Sequence, residues 1–456
     1  MNIPRFIIAG VASGSGKTTS TVGLIAALRS RDLKVAPFKC GPDYLDPTYH
    51  TRAAGRPSHN LDAWMMGRDG VLSTFSHAAR DADIAVIEGM MGLFDGASAT
   101  TDEGSTAQIA KWLAAPVLLA VDASAMARSI AAVAHGFRTF DSGVNVAGLI
   151  ANGVGGKGHL DLLRQATQPF PVVGGYPRRT DLAFPERHLG LVTASRETLP
   201  DALIHSWGEL TRDGFDLDAV LAIAKSSPDL VAPALDLPAQ PIRCRIGIAF
   251  DDALHFYYED NLRRLKQFGA ELVHFSPLND TALPNVDGLY LGGGYPEVHA
   301  RELSANTGMR ASIRDFAARG RPIYAECGGL MYLASAIQTL DGNSHEMVGV
   351  IPLTAVMSPR LQAIGYAEVE TTESTFLGPA KTRFRGQQFR YSEPRLLAGT
   401  PRRSYALTDL YSQRVSAEGY RGDHPNVVAS YVHAHWASNP AIADSFVNAC
   451  AAASVF

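Results

Sequence analysis

A chain of 456 residues is long enough for two or three domains, each with a core of its own. Its hydrophobic share of 46% and charged share of 19% suit a globular protein in water, and a formal net charge of −4 excludes the broad basic field of a nucleic-acid binder. The longest apolar runs are strand-sized, which argues against a membrane-spanning helix. No basic stretch followed by a long apolar core marks a secretory signal, so a cytoplasmic setting is expected. Cys40, Cys244, Cys327 and Cys450 are scattered without CxxC spacing, which predicts neither a disulfide framework nor a zinc site.

In chain order, residues 3–9, 33–39, 83–88, 116–122 and 144–151 read as buried strands. Helices are predicted between them, for example from Thr18 to Arg31 and from Met126 to Phe137. Strands alternating with helices predict βαβ units and a parallel sheet covered on both faces. Residues 226–242 contain four prolines and no periodicity, so the boundary is placed there, with domains at 1–235 and 243–456. A new strand is predicted from Arg245 to Phe250, then a helix through Leu262 and Leu265 and a strand from Glu271 to Phe275. The second half is therefore expected to be another α/β domain.

The first predicted strand runs into Gly10-Val11-Ala12-Ser13-Gly14-Ser15-Gly16-Lys17-Thr18-Thr19, and a helix follows. Strand, glycine-rich turn and helix form a phosphate cradle: backbone amides and the helix N-terminus favour the phosphates, Lys17 reaches the β/γ-phosphates, and Thr18 ligates Mg²⁺. Gly14, Ser15, Gly16, Lys17, Thr18 and Thr19 are the expected nucleotide contacts. The spacing departs from the standard pattern, since Val11 stands at the first glycine position and Gly10 one residue earlier. This longer loop resembles that of dethiobiotin synthetase and its relatives. Partitioning ATPases of the same superfamily usually carry a second lysine where this chain has Ala12. Acidic residues follow the next strands: Asp43 and Asp46, then Glu88 at the predicted strand end and Asp95 on a glycine-flanked turn. In an open parallel sheet ligands bind beyond the carboxyl ends of the strands, so these four are expected to converge near the γ-phosphate, unless some only cap helices or fix turns. Thr18, Asp46 and Glu88 are the predicted Mg²⁺ ligands, and Asp95 is assigned to the substrate side. Asn152 is expected to contact adenine, as a similarly placed asparagine does in dethiobiotin synthetase.

Downstream, Pro322-Ile323-Tyr324-Ala325 leads into Glu326-Cys327-Gly328-Gly329 and a helical stretch from Leu330 to Ala334. A sharp strand-to-helix turn exposes a nucleophile and aims a helix N-terminus at it, which favours thiolate. Class I glutamine amidotransferases place their cysteine on such an elbow. The glycines of Leu291-Gly292-Gly293-Gly294-Tyr295-Pro296-Glu297 match their oxyanion-hole turn, with Gly293 and Gly294 as the expected donors. His433 matches their base. The usual glutamate two residues further on is replaced by His435, so a Cys327–His433 dyad is expected, with the role of His435 left open.

Taken together, the stretches 41–47, 88–96, Pro185 to Leu191, Phe256 to Leu262, 292–297 and 325–330 resemble the a,c-diamide synthases of corrinoid biosynthesis, over nearly the whole chain. One stretch departs. Relatives often read Gly-His-Glu-Phe-His-Tyr-Ser where this chain has Gly386-Gln387-Gln388-Phe389-Arg390-Tyr391-Ser392. The resemblance implies an N-terminal ATP-dependent synthetase domain fused to a C-terminal α/β amidotransferase domain. It implies ATP, L-glutamine, Mg²⁺ and a corrinoid macrocycle as ligands, no nucleic acid or membrane partner, and a homodimer as one option for assembly. Asp43, Leu45 and Asp46 would meet the macrocycle, and Cys327, His433 and Asp95 would act in catalysis. The expected reaction is amidation of the a and c carboxylates of cobyrinic acid through acyl phosphates and ammonia from glutamine. The alternatives are hydrogenobyrinic acid, Ni-sirohydrochlorin, and a non-catalytic ATPase switch carrying an idle amidotransferase domain.

Overall fold

A computed structural model describes residues 2–179, 199–231, 239–397 and 401–454. The motif from Pro185 to Leu191 lies outside the described residues, as does the middle of the proline-rich stretch. The chain divides into two compact units, Met1–Asp236 and Leu237–Phe456.

In the first unit strand and helix alternate as the apolar pattern predicts: β1 (Arg5–Gly10), α1 (Lys17–Arg29), β2 (Val35–Cys40), α2 (Asp46–Ala54), β3 (His59–Leu61), α3 (Ala63–Ala79), β4 (Ile84–Gly92), α4 (Thr106–Trp112), β5 (Val117–Asp122), α5 (Ser129–Phe140), β6 (Val146–Val154), α6 (Lys157–Thr167), β7 (Val172–Pro177), α7 (Asp201–Gly214) and α8 (Leu217–Lys225). The sheet order is β3-β2-β4-β1-β5-β6-β7, and every neighbouring pair is parallel. Every residue of β1 and β2 is buried because helices cover both faces. One face packs Phe6, Ile8, Val86 and Leu118 against Val22 and Ile25 of α1, Trp207 of α7 and Val220 of α8.

Two boundaries differ from expectation in ways that matter for the site. β4 continues four residues past Glu88, because Gly92 still pairs with Gly10 across a register shift. Glu88 therefore lies inside the strand, not at its end. The helix predicted from Met126 begins at Ser129 and runs to Phe140.

The second unit contains β8 (Cys244–Ala249), β9 (Leu254–Phe256), α9 (Glu259–Gln267), β10 (Ala270–Phe275), β11 (Gly288–Leu291), β12 (Gly293–Gly294), α10 (Ala300–Ala305), α11 (Thr307–Ala318) and β13 (Ile323–Glu326). It continues through α12 (Gly328–Leu333), β14 (Ala334–Gln338), β15 (Ser344–Glu346), β16 (Ile351–Met357), β17 (Ala363–Thr371), β18 (Arg383–Arg390), β19 (Ser392–Leu396), β20 (Arg402–Asp409), β21 (Val415–Arg421), β22 (Val427–Ser430), β23 (His433–His435) and α13 (Ala441–Ala453). A ten-stranded mixed sheet has the order β10-β8-β11-β13-β22-β21-β20-β17-β18-β23. From β10 to β22 the pairs are parallel, and from β22 to β23 they are antiparallel. The helix expected to include Ala334 stops at Leu333, and Ala334 opens β14. In the antiparallel half β23 pairs with β18 and sets Gln387 opposite His433.

Candidate functional site

In the first unit the loop between β1 and α1 is wound around the Lys17 amine. Lys17 Nζ donates to the carbonyls of Met91 at 2.7 Å and Ala12 at 3.2 Å, and Ser15 Oγ donates to Ala12 O at 3.0 Å. This packing explains the shifted glycine. A Cβ at position 10 would stand 2.2 Å from Ser15 Oγ and 3.0 Å from Lys17 Nζ, so only glycine fits there and Val11 is tolerated. Gly16, at φ 84°, takes the left-handed conformation that turns the loop into the helix. Gly14 has open space around its Cβ position, and Thr19 is half-buried in the first turn of α1. Burial lowers the Lys17 pKa, and Lys39 lowers it further, against Glu88, Asp46 and Asp95. Asn152, at the carboxyl end of the sheet in β6, donates through Nδ2 to Ser15 O at 2.7 Å. The asparagine expected to contact adenine thus braces the phosphate loop, with its buried Oδ1 as a remaining acceptor.

A buried ionic cluster lies beside this loop. Thr18 Oγ1 donates to Glu88 Oε1 at 2.8 Å and lies 3.5 Å from Asp46 Oδ1. Lys39 Nζ reaches Asp46 Oδ2 at 2.8 Å and Glu88 Oε1 at 3.0 Å, while His50 Nε2 meets Glu88 Oε2 at 2.6 Å. Burial alone would lower the Lys39 pKa, but Asp46, Glu88 and Asp43 hold it above the usual lysine range. Charges this deep persist only when paired. Lys39 and His50 were not singled out from sequence. The available signal was a lysine near the end of the otherwise apolar strand Val35–Cys40, where a buried cation demands carboxylates.

Among the described residues no three of His, Cys, Asp or Glu gather into a complete metal cage. The convergence of a Thr18 hydroxyl with the Asp46 and Glu88 carboxylates nevertheless fits Mg²⁺, which prefers hard oxygens and completes its shell with phosphate and water.

The other acidic residues also have local partners. Asp43 Oδ1 accepts the N–H of Leu45 at 2.7 Å and of Asp46 at 3.4 Å, shaping the entry to α2. Leu45 is buried. Asp95 Oδ2 accepts the N–H of Gly92 at 2.9 Å, as a turn aspartate does, yet the residue is exposed and near enough to Lys17 to raise its pKa.

In the second unit Cys327 joins β13 to α12 with φ 46° and ψ −101°, a conformation strained for any residue but glycine. Its N–H donates to Ser430 O at 2.7 Å, which ties the elbow to the end of the neighbouring strand β22. A Cβ at Gly293 would lie 2.3 Å from His433 Cε1, and one at Gly328 would lie 2.9 Å from Gly294 N. The glycine turn therefore touches both His433 and the elbow. Gly328 N–H, which acts on the thiol, joins Gly294 as a candidate oxyanion donor that sequence had assigned only to the elbow.

The electrostatics differ from expectation. Burial pushes the Cys327 thiol up to about 12, with Glu297 adding to the rise, and Gly328 N–H and Arg390 only partly offset it. The six-residue helix α12 is outweighed by desolvation. Burial also lowers His433 to about 3. Burial thus favours the neutral thiol and the neutral imidazole, against the thiolate that the elbow alone suggests.

Glu326 is a further participant that sequence did not single out. It accepts from Tyr324 Oη at 2.7 Å, Tyr290 Oη at 2.9 Å and Ala434 N at 3.0 Å, and so pins the residue that separates the two histidines. Burial raises its pKa to about 7, against the hydrogen bonds from Tyr324, Ala434 and Tyr290. The His435 ring lies 4.7 Å from that of Tyr258, and its Nδ1 accepts the Ala437 N–H at 3.3 Å.

Residues 6–192 match the CobQ/CobB/MinD/ParA nucleotide binding domain, and residues 245–441 match the CobB/CobQ-like glutamine amidotransferase domain. Relatives that align along nearly the whole chain share one name. The cobyrinate a,c-diamide synthase of Leptospira interrogans serogroup Icterohaemorrhagiae serovar copenhageni is 49% identical over 451 residues, covering 99% of each chain. Those of Syntrophotalea carbinolica and Priestia megaterium are 46% and 40% identical, the first covering 99% of each chain and the second 99% of this chain and 98% of its own. Among solved structures, a glutamine amidotransferase covers 45% of this chain and 98% of its own at 20% identity, with a TM-score of 0.32.

Proposed function

This chain belongs to the cobyrinate a,c-diamide synthase family, and from that premise we propose that it amidates the a and c carboxylates of cobyrinic acid with ATP and L-glutamine. As a family member it is a glutamine-dependent, amide-forming ligase of cobalamin biosynthesis. The observation that carries the finer reading is the coexistence of two prepared sites: Lys17 and Thr18 beside Asp46 and Glu88 in one unit, and the strained Cys327 against the His433 turn in the other.

In the first site the loop amides and Lys17 cradle the ATP phosphates. Thr18, Asp46 and Glu88 would hold Mg²⁺, which when bound would neutralise phosphate charge. Lys17 exchanges the Met91 and Ala12 carbonyls for the phosphates and stabilises the charge that develops on the transferred group. A macrocycle carboxylate attacks the γ-phosphorus, ADP leaves, and the resulting acyl phosphate is a competent acyl donor where the free carboxylate is not.

In the second site Cys327 Sγ attacks the side-chain amide carbon of glutamine. The high thiol and low imidazole pKa values mean that His433 takes the Sγ proton during the attack, not beforehand. The Gly293, Gly294 and Gly328 amides stabilise the tetrahedral oxyanion. Its collapse expels ammonia, which carries the proton from His433, and water then hydrolyses the thioester to glutamate. Ammonia displaces phosphate from the acyl phosphate, and a second cycle amidates the other carboxylate. Comparing kcat/KM for cobyrinic acid, hydrogenobyrinic acid and Ni-sirohydrochlorin tests the substrate. Cobyrinic acid is expected to rank first, and a higher value for either rival replaces it.

Asp95 is assigned to orient the reacting carboxylate or its ammonia, from its exposed place beside Lys17. D95N is expected to leave ATP affinity nearly unchanged while slowing amidation and accumulating monoamide. Normal diamide formation would reduce Asp95 to the turn former that its bond to Gly92 describes, and loss of Mg·ATP binding would move it to the metal site.

A further inference from the structure

Two opposite charges flank the Cys327 elbow, and neither has an ion-pair partner among the described residues. Arg390 stacks its guanidinium 4.7 Å above the ring of Tyr431, donates through Nη1 to Ser392 O, and keeps a buried Nε with no hydrogen bond. Both supports lead directly to the nucleophile. Tyr431 follows Ser430, whose carbonyl accepts the Cys327 N–H at 2.7 Å. Ser392 Oγ lies 3.1 Å from Tyr431 Oη and 3.6 Å from Met331 Sδ, and Met331 N–H donates to Cys327 O at 3.0 Å. Arg390 also forms part of the wall of an open cleft of about 570 Å³ with Gln362 and Gln388.

Glu297 ends the glycine turn that packs on the elbow. Gly294 N and Pro296 Cδ of that turn lie 2.9 and 3.0 Å from the Cβ position of Gly328. Burial raises the Glu297 carboxyl to about 7, with no cation to offset it. Both charges act on the thiol, Glu297 raising its pKa and Arg390 lowering it.

We propose that Arg390 and Glu297 form a zwitterion clamp, Arg390 taking the α-carboxylate and Glu297 the α-ammonium group of the glutamine whose amide Cys327 attacks. This rests on the glutaminase reading of the elbow. A planar guanidinium held flat on an aromatic ring, with donors to spare, suits a carboxylate that it can grip in two places. A half-buried carboxyl that gains a cation ionises and becomes a stronger acceptor. Glutamine presents both charges on one carbon, and Arg390 and Glu297 supply an opposite charge for each.

The test is steady-state glutaminase kinetics of the full chain with three donors: L-glutamine, its α-carboxamide and Nα-acetyl-L-glutamine. R390Q is expected to raise KM for glutamine by about 10- to 100-fold, the loss of a charged hydrogen bond, and to change KM for the α-carboxamide little. R390K, with charge but no fork, falls between. E297Q is expected to raise KM for glutamine while sparing Nα-acetyl-glutamine. Unchanged KM values in R390Q, or equal penalties on glutamine and its α-carboxamide, overturn the clamp and leave Arg390 as packing for Tyr431. The E297Q arm stands independently of how well R390Q folds. A wild-type chain that hydrolyses no glutamine at all would instead overturn the reading of the elbow.

Discussion

Replacing Cys327 by Ala is expected to abolish glutamine-dependent amidation while ammonium salts still support diamide synthesis. The thiol's only task in this scheme is to open the glutamine amide, and without it neither water nor a neighbouring group offers a comparable nucleophile. The elbow conformation at φ 46° is equally strained for Cys and Ala, so the substitution leaves the backbone cost in place. It removes the sulfur without disturbing the bonds of Cys327 N–H to Ser430 or of Met331 N–H to Cys327 O. The measurement is diamide yield with each nitrogen source, supported by a thermal melt. Loss of ammonia-dependent turnover in a folded variant would mean that the two units do not divide the chemistry as described.

Replacing Lys17 by Ala is expected to remove synthesis with either nitrogen source, by a factor on the order of 10² or more. Phosphoryl transfer gives the protein little to do beyond positioning and charge stabilisation, so a cation at the γ-phosphate accounts for much of the catalysis. Lys17 also ties Ala12 O and Met91 O together across the loop, and its loss loosens the cradle as well. Comparing nucleotide affinity with kcat separates these effects. Near-normal synthesis by K17A would show that this loop does not handle the reacting nucleotide.

The parts of both sites that were legible in the sequence are local. Gly10 to Thr19 and Glu326 to Gly329 are contiguous strand–turn–helix signals, and each takes that form in the structure. What escaped sequence reading depends on partners far along the chain. Lys39 meets Asp46 and Glu88 because α2 and β4 converge on β2, and no spacing within residues 33–39 announces this. Glu326 reaches Ala434 across more than a hundred residues. The strand end was misplaced at Glu88 because a Gly-Met-Met-Gly run carries weak strand propensity, and pairing of Gly92 with Gly10 keeps it extended. The antiparallel strands of the second unit were missed for a similar reason. β17 and β18 carry exposed ion pairs such as Arg383–Glu370, which blunt the apolar pattern that marks buried strands. The ionisation state of Cys327 was also beyond sequence, since it depends on how completely the fold buries the sulfur.

The most direct measurement of the central claim follows nitrogen from one site to the other. The enzyme is incubated with cobyrinic acid, Mg·ATP and glutamine labelled with ¹⁵N at the side-chain amide, and the product is analysed by mass spectrometry with ADP counted alongside. The account predicts a diamide labelled at both new amides, with one ADP formed for each. Glutamine hydrolysis without label in the macrocycle, or ADP formation that does not depend on the macrocycle, would contradict it.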